Sequence, residues 1–262
     1  MSILQSQGGE LTRDLQGGDL VELGSGANWK IRTLMDAMDR SQRAGIRYVS
    51  VDVSETALVH AAKDLLKIYP ELLVAGIVAD FTSDLHRLPH DRPKLVLFLG
   101  STIGNLDELE SRTFLGEVAT MLDSGDRFVL GMDLVKPKDI LEAAYNDSQN
   151  VTEEFNKNVL HVVNRQFSGN FDPEYFDHLA FYNEKKERIE MHLRANRPVI
   201  VHIQDLDMTV DMNEGETIHT EICRKFTRHS AENMIAQAGM AIKRWYTDPN
   251  RWFALAEIVV GN

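Results

Sequence analysis

Short apolar runs alternate with longer segments of helical periodicity through the first half of the chain. The strand-like runs are DLVELG, RYVSVDVS, LVAGIVADF, KLVLFLGS and RFVLGMDLV. The helical segments between them include KIRTLMDAM, ALVHAAKDLLKIY and LDELESRTFLGEVATML. Such alternation is typical of a parallel sheet covered by helices, and the consecutive apolar residues of KLVLFLGS suit a strand buried on both faces. We therefore predict an α/β fold.

The pattern changes after Pro137. Three segments there have helical character: KDILEAAYND, VTEEFNKNVLHVVNRQF and PEYFDHLAFY. Three strand-like segments follow: KERIEMHLRA, PVIVHIQDLDMTVDM and ETIHTEICRKF. Helices followed by neighbouring strands indicate an α+β insertion with an antiparallel sheet. We assign residues 136–225 to this inserted domain.

The C-terminal segment returns to the first pattern. SAENMIAQAGM is helical in character, and AIKRWYTD and WFALAEIVVG are two further strands that can complete the first sheet. Residues 1–135 and 226–262 then form one domain around a mostly parallel, seven-stranded, Rossmann-like sheet.

Composition narrows the function classes. The 262 residues carry a formal charge of −12, which disfavours nucleic acid and anionic membrane surfaces as partners. The single cysteine, Cys223, allows no internal disulfide, and no apolar run approaches the roughly 20 residues of a membrane span. Because the first residues also lack the apolar core of a signal peptide, we expect a cytoplasmic protein, monomeric, with a small-molecule substrate.

A glycine pair marks the first strand-to-helix turn. In VELGSGANWK, the residues Gly24, Ser25 and Gly26 lie where a ligand could approach the backbone closely. A dinucleotide site would favour a third glycine where this chain has Trp29, so a ligand without a pyrophosphate fits better. Two other interpretations of the glycine pair stay open: a tight turn without a ligand, and the cofactor site of a nicotinamide oxidoreductase.

The next two strands end in acids. VDVS places Asp52 at the end of the second strand, where an acid can accept hydrogen bonds from ribose hydroxyls. VADF places Asp80 and Phe81 at the same edge, where an acid and an aromatic ring could hold an adenine. Either acid alone could be a solvated strand end. Three such features at the carboxyl ends of successive strands predict a ligand site.

Together, VELGSG, VDVS and VADF resemble the S-adenosyl-L-methionine (SAM) motifs of seven-stranded methyltransferases. The resemblance implies that the glycines face the amino-acid part of SAM, Asp52 the ribose, and Asp80 with Phe81 the adenine. It implies S-adenosyl-L-homocysteine as the second product. The full set of cofactor residues implied by the resemblance is Gly24, Ser25, Gly26, Lys30, Asp52, Asp80, Phe81 and Gly100.

Further segments point to a narrower family. LFLGSTIGNL, GMDLVK, FNKNVLHVVNR, ERIEMHLR and TEICRKF, with VDVS, resemble the histidine-specific methyltransferases. Members of that family trimethylate the α-amino group of L-histidine to hercynine during ergothioneine biosynthesis. The resemblance implies the same activity here. Members of that family usually carry additional N-terminal residues that help to close the substrate pocket, whereas this sequence begins just before the first methyltransferase helix. A misassigned start, a trimmed sequence and a natural short form all stay open, and a catalytically silent, cofactor-binding protein is the alternative function.

The same resemblance assigns the substrate residues. Asn105 and Tyr145 would hold the carboxylate and amino group of the substrate. The resemblance therefore implies that both are catalytic residues. Glu221 and Cys223 would contact the imidazole, with Met191 beside it; residues two apart on a strand share a face. Family members carry serine where this chain has Cys223, a weaker hydrogen-bonding group.

Glu221 favours histidine over tryptophan, which is the alternative amino acid. From the residues alone, Asn105 could instead cap the next helix, Tyr145 could be a packed helix residue, and Glu221 could pair with Arg224 or Lys225 on the surface. We expect no metal site, because methyl transfer to an amine needs orientation of the reactants, and the sequence has no HExxH motif or cysteine cluster.

Overall fold

The computed structural model describes residues 2–24 and 28–261. It divides into two compact units, Met1–Leu134 with Phe226–Asn262, and Val135–Lys225. Within the described ranges, none of the helices combines the length and the apolar character that a membrane crossing requires.

Eight α-helices and twelve strands are assigned within these ranges. The helices are α1 (Ser2–Thr12), α2 (Trp29–Asp36), α3 (Arg40–Gly45), α4 (Glu55–Ile68), α5 (Glu108–Met121), α6 (Lys138–Tyr145), α7 (Val151–Phe167) and α8 (Arg228–Gln237). The strands are β1 (Asp19–Leu23), β2 (Arg47–Asp52), β3 (Leu73–Val78), β4 (Lys94–Phe98), β5 (Arg127–Asp133), β6 (Phe176–Asn183), β7 (Arg188–Ala195), β8 (Val199–Ile203), β9 (Met208–Met212), β10 (Thr217–Arg224), β11 (Met240–Thr247) and β12 (Phe253–Val260).

The first unit is built on a seven-stranded sheet in the order β11-β12-β5-β4-β1-β2-β3. Strands β1 to β5 are parallel, while β12 pairs antiparallel with both β5 and β11. Every residue of β1 and β4 is buried, as their central positions require. The predicted α/β fold with a mostly parallel seven-stranded sheet is therefore confirmed, including the two C-terminal strands.

Two apolar clusters cover the faces of this sheet because successive strand residues point to opposite sides. Tyr48 packs with Leu34 of α2 and Leu65 of α4 on one face, whereas Val49 packs with Phe114 of α5 and Ile235 of α8 on the other. Loops lie at the carboxyl ends of β1 to β4. In folds of this class, ligands bind at this edge of the sheet.

The second unit contains an antiparallel sheet in the order β10-β7-β6 and a separate β8-β9 hairpin. Leu141 of α6 packs with Met191 of β7, and Leu160 of α7 packs with Leu193 of the same strand. The two helices thus cover the sheet face that carries the odd-numbered residues of β7.

The helical prediction for PEYFDHLAFY is wrong. Pro173–Tyr175 form a single 3-10 turn, and the following residues are strand β6, which pairs with β7 along its whole length from Phe176 to Asn183. An eight-residue ladder and the burial of Phe176, Ala180 and Tyr182 outweigh the weak local helical pattern.

Candidate functional site

Gly24 ends strand β1 in a left-handed conformation. Its φ is +72°, and its N–H donates to the carbonyl of Val51 on the neighbouring strand at 2.9 Å. A Cβ at Gly24 would lie 3.6 Å from Cε1 of Phe81. The turn thus favours glycine for backbone reasons and lies beside an aromatic ring. Ser25 and Gly26 lie outside the described residues.

A buried acid lies just before this turn. Glu22 is 3% exposed, and its Oε2 accepts a hydrogen bond of 2.6 Å from the Tyr48 hydroxyl. Burial raises the pKa of Glu22 above its usual value, and the charge of Asp52 raises this pKa further. The Tyr48 hydrogen bond and the charge of Lys30 partly offset the increase. Lys30 and Asp52 therefore lie within electrostatic range of the end of β1. Glu22 is not among the predicted site residues, although a charged residue inside an apolar strand is a signal in the sequence.

Asp52 is the last residue of β2, Asp80 follows β3, and each makes hydrogen bonds within a tight local turn. The Asp52 Oδ1 accepts from the Ser54 N–H at 2.9 Å, and the Asp80 Oδ1 accepts from the N–H and hydroxyl of Thr82 at 2.8 and 2.6 Å. The Thr82 hydrogen bonds hold the pKa of Asp80 below its usual value, so this carboxylate is ionised at neutral pH. Both acids are held at the sheet edge as hydrogen-bond acceptors.

The aromatic residue after Asp80 is fixed by packing. The half-buried Phe81 ring lies 5.1 Å from the Phe98 ring and 6.1 Å from the Phe114 ring, between ring centroids. Neighbouring rings of this kind restrict the side chain to one orientation.

The chain leaves β4 through two consecutive left-handed residues, Gly100 at φ +86° and Ser101 at φ +65°. A Cβ at Gly100 would lie 3.2 Å from Nζ of Lys30, so the backbone here is close to that ammonium group. The Ser101 hydroxyl accepts from the Asp133 N–H at 2.9 Å and anchors the turn to β5. A left-handed serine is an uncommon conformation, found preferentially at functional sites.

Asn105 is the last residue of the 3-10 helix Thr102–Asn105 and is exposed. It does not cap the following helix. Asp107 caps α5, accepting from the Glu110 N–H while the Glu110 side chain accepts from the Asp107 N–H. The capping alternative for Asn105 is thus wrong, because Asp107 holds the N-cap position of α5.

The first unit therefore brings the predicted cofactor residues of the described ranges to one edge of the sheet. They combine a carboxylate at the end of β2, a carboxylate and a ring after β3, and left-handed glycines after β1 and β4. Such a set fits a nucleoside linked to an amino acid: acids for hydroxyl and amino donors, a ring for the base, and exposed backbone for the amino acid.

The second unit has its own polar cluster around a buried lysine. Lys225 is 2% exposed, and its Nζ donates to the Tyr145 hydroxyl at 3.0 Å and to Sγ of Cys223 at 3.1 Å. Burial raises the pKa of Tyr145 well above its usual value, with a further contribution from Cys223. Tyr145 is thus a neutral phenol whose oxygen accepts from an ammonium group. Lys225 was predicted only as a possible surface partner of Glu221, and its burial beside Tyr145 was not predicted.

The remaining predicted substrate residues lie on the same face of β7 and β10. Glu221 is directly opposite Met191 in the ladder, and Cys223 is opposite Ile189. Met191 and Cys223 are buried together, Tyr145 packs against them, and Glu221 is half-buried. The second unit thus brings together four of the five predicted substrate residues, and the fifth, Asn105, belongs to the first unit.

The chain is similar to known proteins over nearly its whole length. Residues 1–260 match the profile of a family described as histidine-specific methyltransferase, SAM-dependent. The chain is 40% identical over 254 residues to the histidine N-alpha-methyltransferase of Mycolicibacterium smegmatis, covering 97% of this chain and 79% of the relative. It is 38% identical to the enzyme of the same name from Mycobacterium tuberculosis, with the same coverage.

A solved structure shares the fold at low sequence identity. The glycopeptide N-methyltransferase MtfA complexed with SAM is 12% identical and superposes with a TM-score of 0.52, covering 98% of this chain and 87% of that protein.

Proposed function

Because the chain belongs to the family of SAM-dependent, histidine-specific methyltransferases, we propose that it methylates the α-amino nitrogen of L-histidine up to the trimethylated product hercynine. The resemblance inferred from the motifs is confirmed, and with it SAM as the cofactor. S-adenosyl-L-homocysteine is the second product. The proposal for this site is supported above all by the grouping of Tyr145, Met191, Glu221 and Cys223 on one face of the second unit.

SAM supplies an electrophilic methyl group on a sulfonium sulfur. We propose that the Gly24 turn and Gly100 face its amino-acid part with Lys30, that Asp52 accepts from the ribose hydroxyls, and that Asp80 and Phe81 hold the adenine. We expect Ser25 and Gly26, which lie outside the described residues, to face the amino-acid part of SAM as well. The ionised state of Asp80 and the packed ring of Phe81 support these roles.

The second unit would bind the amino acid. The Tyr145 oxygen already accepts a hydrogen bond from Lys225, so its own O–H can donate to the substrate carboxylate. We propose that Asn105 binds the carboxylate and amino group, that Glu221 accepts from an imidazole N–H, and that Met191 and Cys223 border the ring. Holding the amine in line with the methyl group is the main catalytic contribution of these residues.

Direct turnover tests the proposed function. Purified protein incubated with SAM and separate amino acids should produce successive methyl additions on L-histidine by mass spectrometry, and much less product on L-tryptophan. No product on histidine, with methylation of tryptophan or another amino acid, would refute the substrate assignment. SAM binding without any methylation would favour a cofactor-binding protein that lacks activity.

Tyr145→Phe should lower kcat/KM for histidine without moving its pH dependence. Since burial raises the Tyr145 pKa above the usual value of about 10, the phenol stays protonated at neutral pH and does not accept the amine proton. The rate should increase with pH only as the substrate amine loses its own proton to solvent. Profiles of both proteins from pH 6 to 9.5 should be parallel; loss of the alkaline increase in Tyr145→Phe would identify Tyr145 as a general base.

Lys225→Met should decrease kcat/KM for histidine by about tenfold or more, because a buried charge-assisted hydrogen bond contributes about 1.5–3 kcal/mol. The affinity for SAM should stay within about twofold. Lys67→Met, a change at an exposed lysine of the first unit, is the matched control. Lys225→Arg should recover part of the loss. If Lys225→Met keeps wild-type kinetics for histidine, Lys225 does not position Tyr145.

A further inference from the structure

The sheet of the second unit has a second face that the proposed methyl transfer does not use. Glu190 and His192 on β7 point to this face, away from the side that carries Met191. His219 on β10 lies directly opposite His192 in the ladder. One potential ligand atom from each of these three side chains lies within 4.8 Å of the other two. We propose that Glu190, His192 and His219 form a binding site for a divalent transition-metal ion, with Zn²⁺ as the best match.

His192 is the centre of this site. Both of its ring nitrogens are buried and have no hydrogen-bond partner among the described residues, and its Nε2 is 3.7 Å from Oε2 of Glu190, beyond hydrogen-bonding distance. Buried polar atoms are almost always satisfied, so an unpaired imidazole calls for a partner. The ring is held between Phe181 and His219, at centroid distances of 5.5 and 4.6 Å.

The hydrogen bonds around the cluster suit a metal ligand set. Neither ring nitrogen of His192 has a hydrogen-bond partner among the described residues, so either can serve as a donor to a metal. Arg188 and Asn183 both donate to Oε1 of Glu190, and Oε2 is the oxygen closer to His192. Asn183 and Arg188 therefore orient the carboxylate with Oε2 towards His192.

Two imidazoles and one carboxylate form a donor set that Zn²⁺ binds at about 2.0–2.2 Å, usually with four ligands. The donors lie within 4.8 Å of one another, and side-chain rotations that tilt the stacked imidazoles of His192 and His219 would bring them to that geometry. His219 is exposed, so water can supply the fourth ligand from solvent. Nitrogen donors favour Zn²⁺ over Mg²⁺ and Ca²⁺, which prefer all-oxygen sites.

The metal would join β7 to β10 immediately before an irregularity in the ladder. The register shifts between His219 and Glu221, and Glu221 and Cys223 then project from the opposite face. A cross-link at His192 and His219 would stabilise the strand that carries the proposed imidazole contacts. The role is structural, and the site is separate from the proposed reaction.

Metal titration of a tag-free, chelator-treated protein tests the site. ZnCl₂ should bind with one-to-one stoichiometry by calorimetry and raise the Tm. His192→Ala and His219→Ala should each weaken the affinity at least tenfold and remove the increase in Tm. His202→Ala is the matched control, since His202 is exposed on the separate β8-β9 hairpin, and it should bind Zn²⁺ like the wild type.

Circular dichroism without metal checks folding, and His219→Gln, a change at an exposed position, provides a second variant if His192→Ala fails to fold. Equal Zn²⁺ affinity in wild type and both His219 variants would overturn the proposal, as would the absence of one-to-one binding to the wild type. Co²⁺ should give visible absorption bands that His219→Gln loses. Because these readouts do not involve methylation, the result is independent of the proposed function.

Discussion

Glu221→Ala should reduce kcat/KM for L-histidine by about 10- to 100-fold, as expected for the loss of a hydrogen bond to a charged group worth about 1.5–3 kcal/mol. The carboxylate is half-buried opposite Met191, and Cys223 projects from the same face. An imidazole N–H placed there would have an ionic acceptor in a partly desolvated site. Without that acceptor, a bound histidine loses its specific contact but keeps the apolar surroundings.

The same variant should change substrate preference. Activity on L-phenylalanine or L-tryptophan, whose rings cannot use Glu221 in the same way, should fall less than activity on histidine, so the ratio of kcat/KM values moves towards the apolar amino acids. Competition assays with mixed amino acids measure this ratio. Glu214→Ala, at an exposed position of the same unit, should leave it unchanged. A Glu221→Ala enzyme with wild-type preference would show that the imidazole binds elsewhere.

Asp52→Ala should weaken SAM binding by about 10- to 100-fold while the fold is retained. Hydrogen bonds from ribose hydroxyls to a carboxyl group in this position together contribute about 1.5–3 kcal/mol. The Asp52 carboxylate is oriented by the Ser54 N–H and acts electrostatically on Glu22 at the end of β1. Calorimetric titration with SAM measures the effect directly.

Asp64→Ala provides the control, because Asp64 is an exposed acid that pairs only with the surface residue Lys67 among the contacts described for it. It should bind SAM like the wild type. Asp52→Asn keeps the shape and removes the charge, so it should lie between the wild type and Asp52→Ala. Unchanged SAM affinity in Asp52→Ala would place the ribose away from the end of β2.

Much of the first unit follows from local pattern. Continuous apolar runs predict β1 and β4 because central parallel strands are buried on both faces. Order along the chain then places Asp52 and Asp80 at the same sheet edge, since parallel strands end together. Helix α3 has no buried residue and thus no apolar periodicity, which is why the pattern gave no signal for it.

Long-range partners limit what the sequence predicts. Strand β6 forms because β7 pairs with it, and the isolated segment has no such partner. From the sequence alone, Lys225 was interpreted as a surface cation. Its burial against Tyr145 and Cys223 depends on the fold of the second unit, which the sequence pattern does not show. The stacking of His192 on His219 also depends on strand register, which residue spacing does not reveal.

The position of the transferred methyl groups tests the central claim most directly. SAM labelled with ¹³C in its methyl group should be incubated with L-histidine and this protein, and the product examined by NMR and tandem mass spectrometry. We predict that the label appears on the α-nitrogen, with up to three equivalent methyl groups and an unmodified imidazole. Label on a ring nitrogen, or on another amino acid in preference to histidine, would contradict this account.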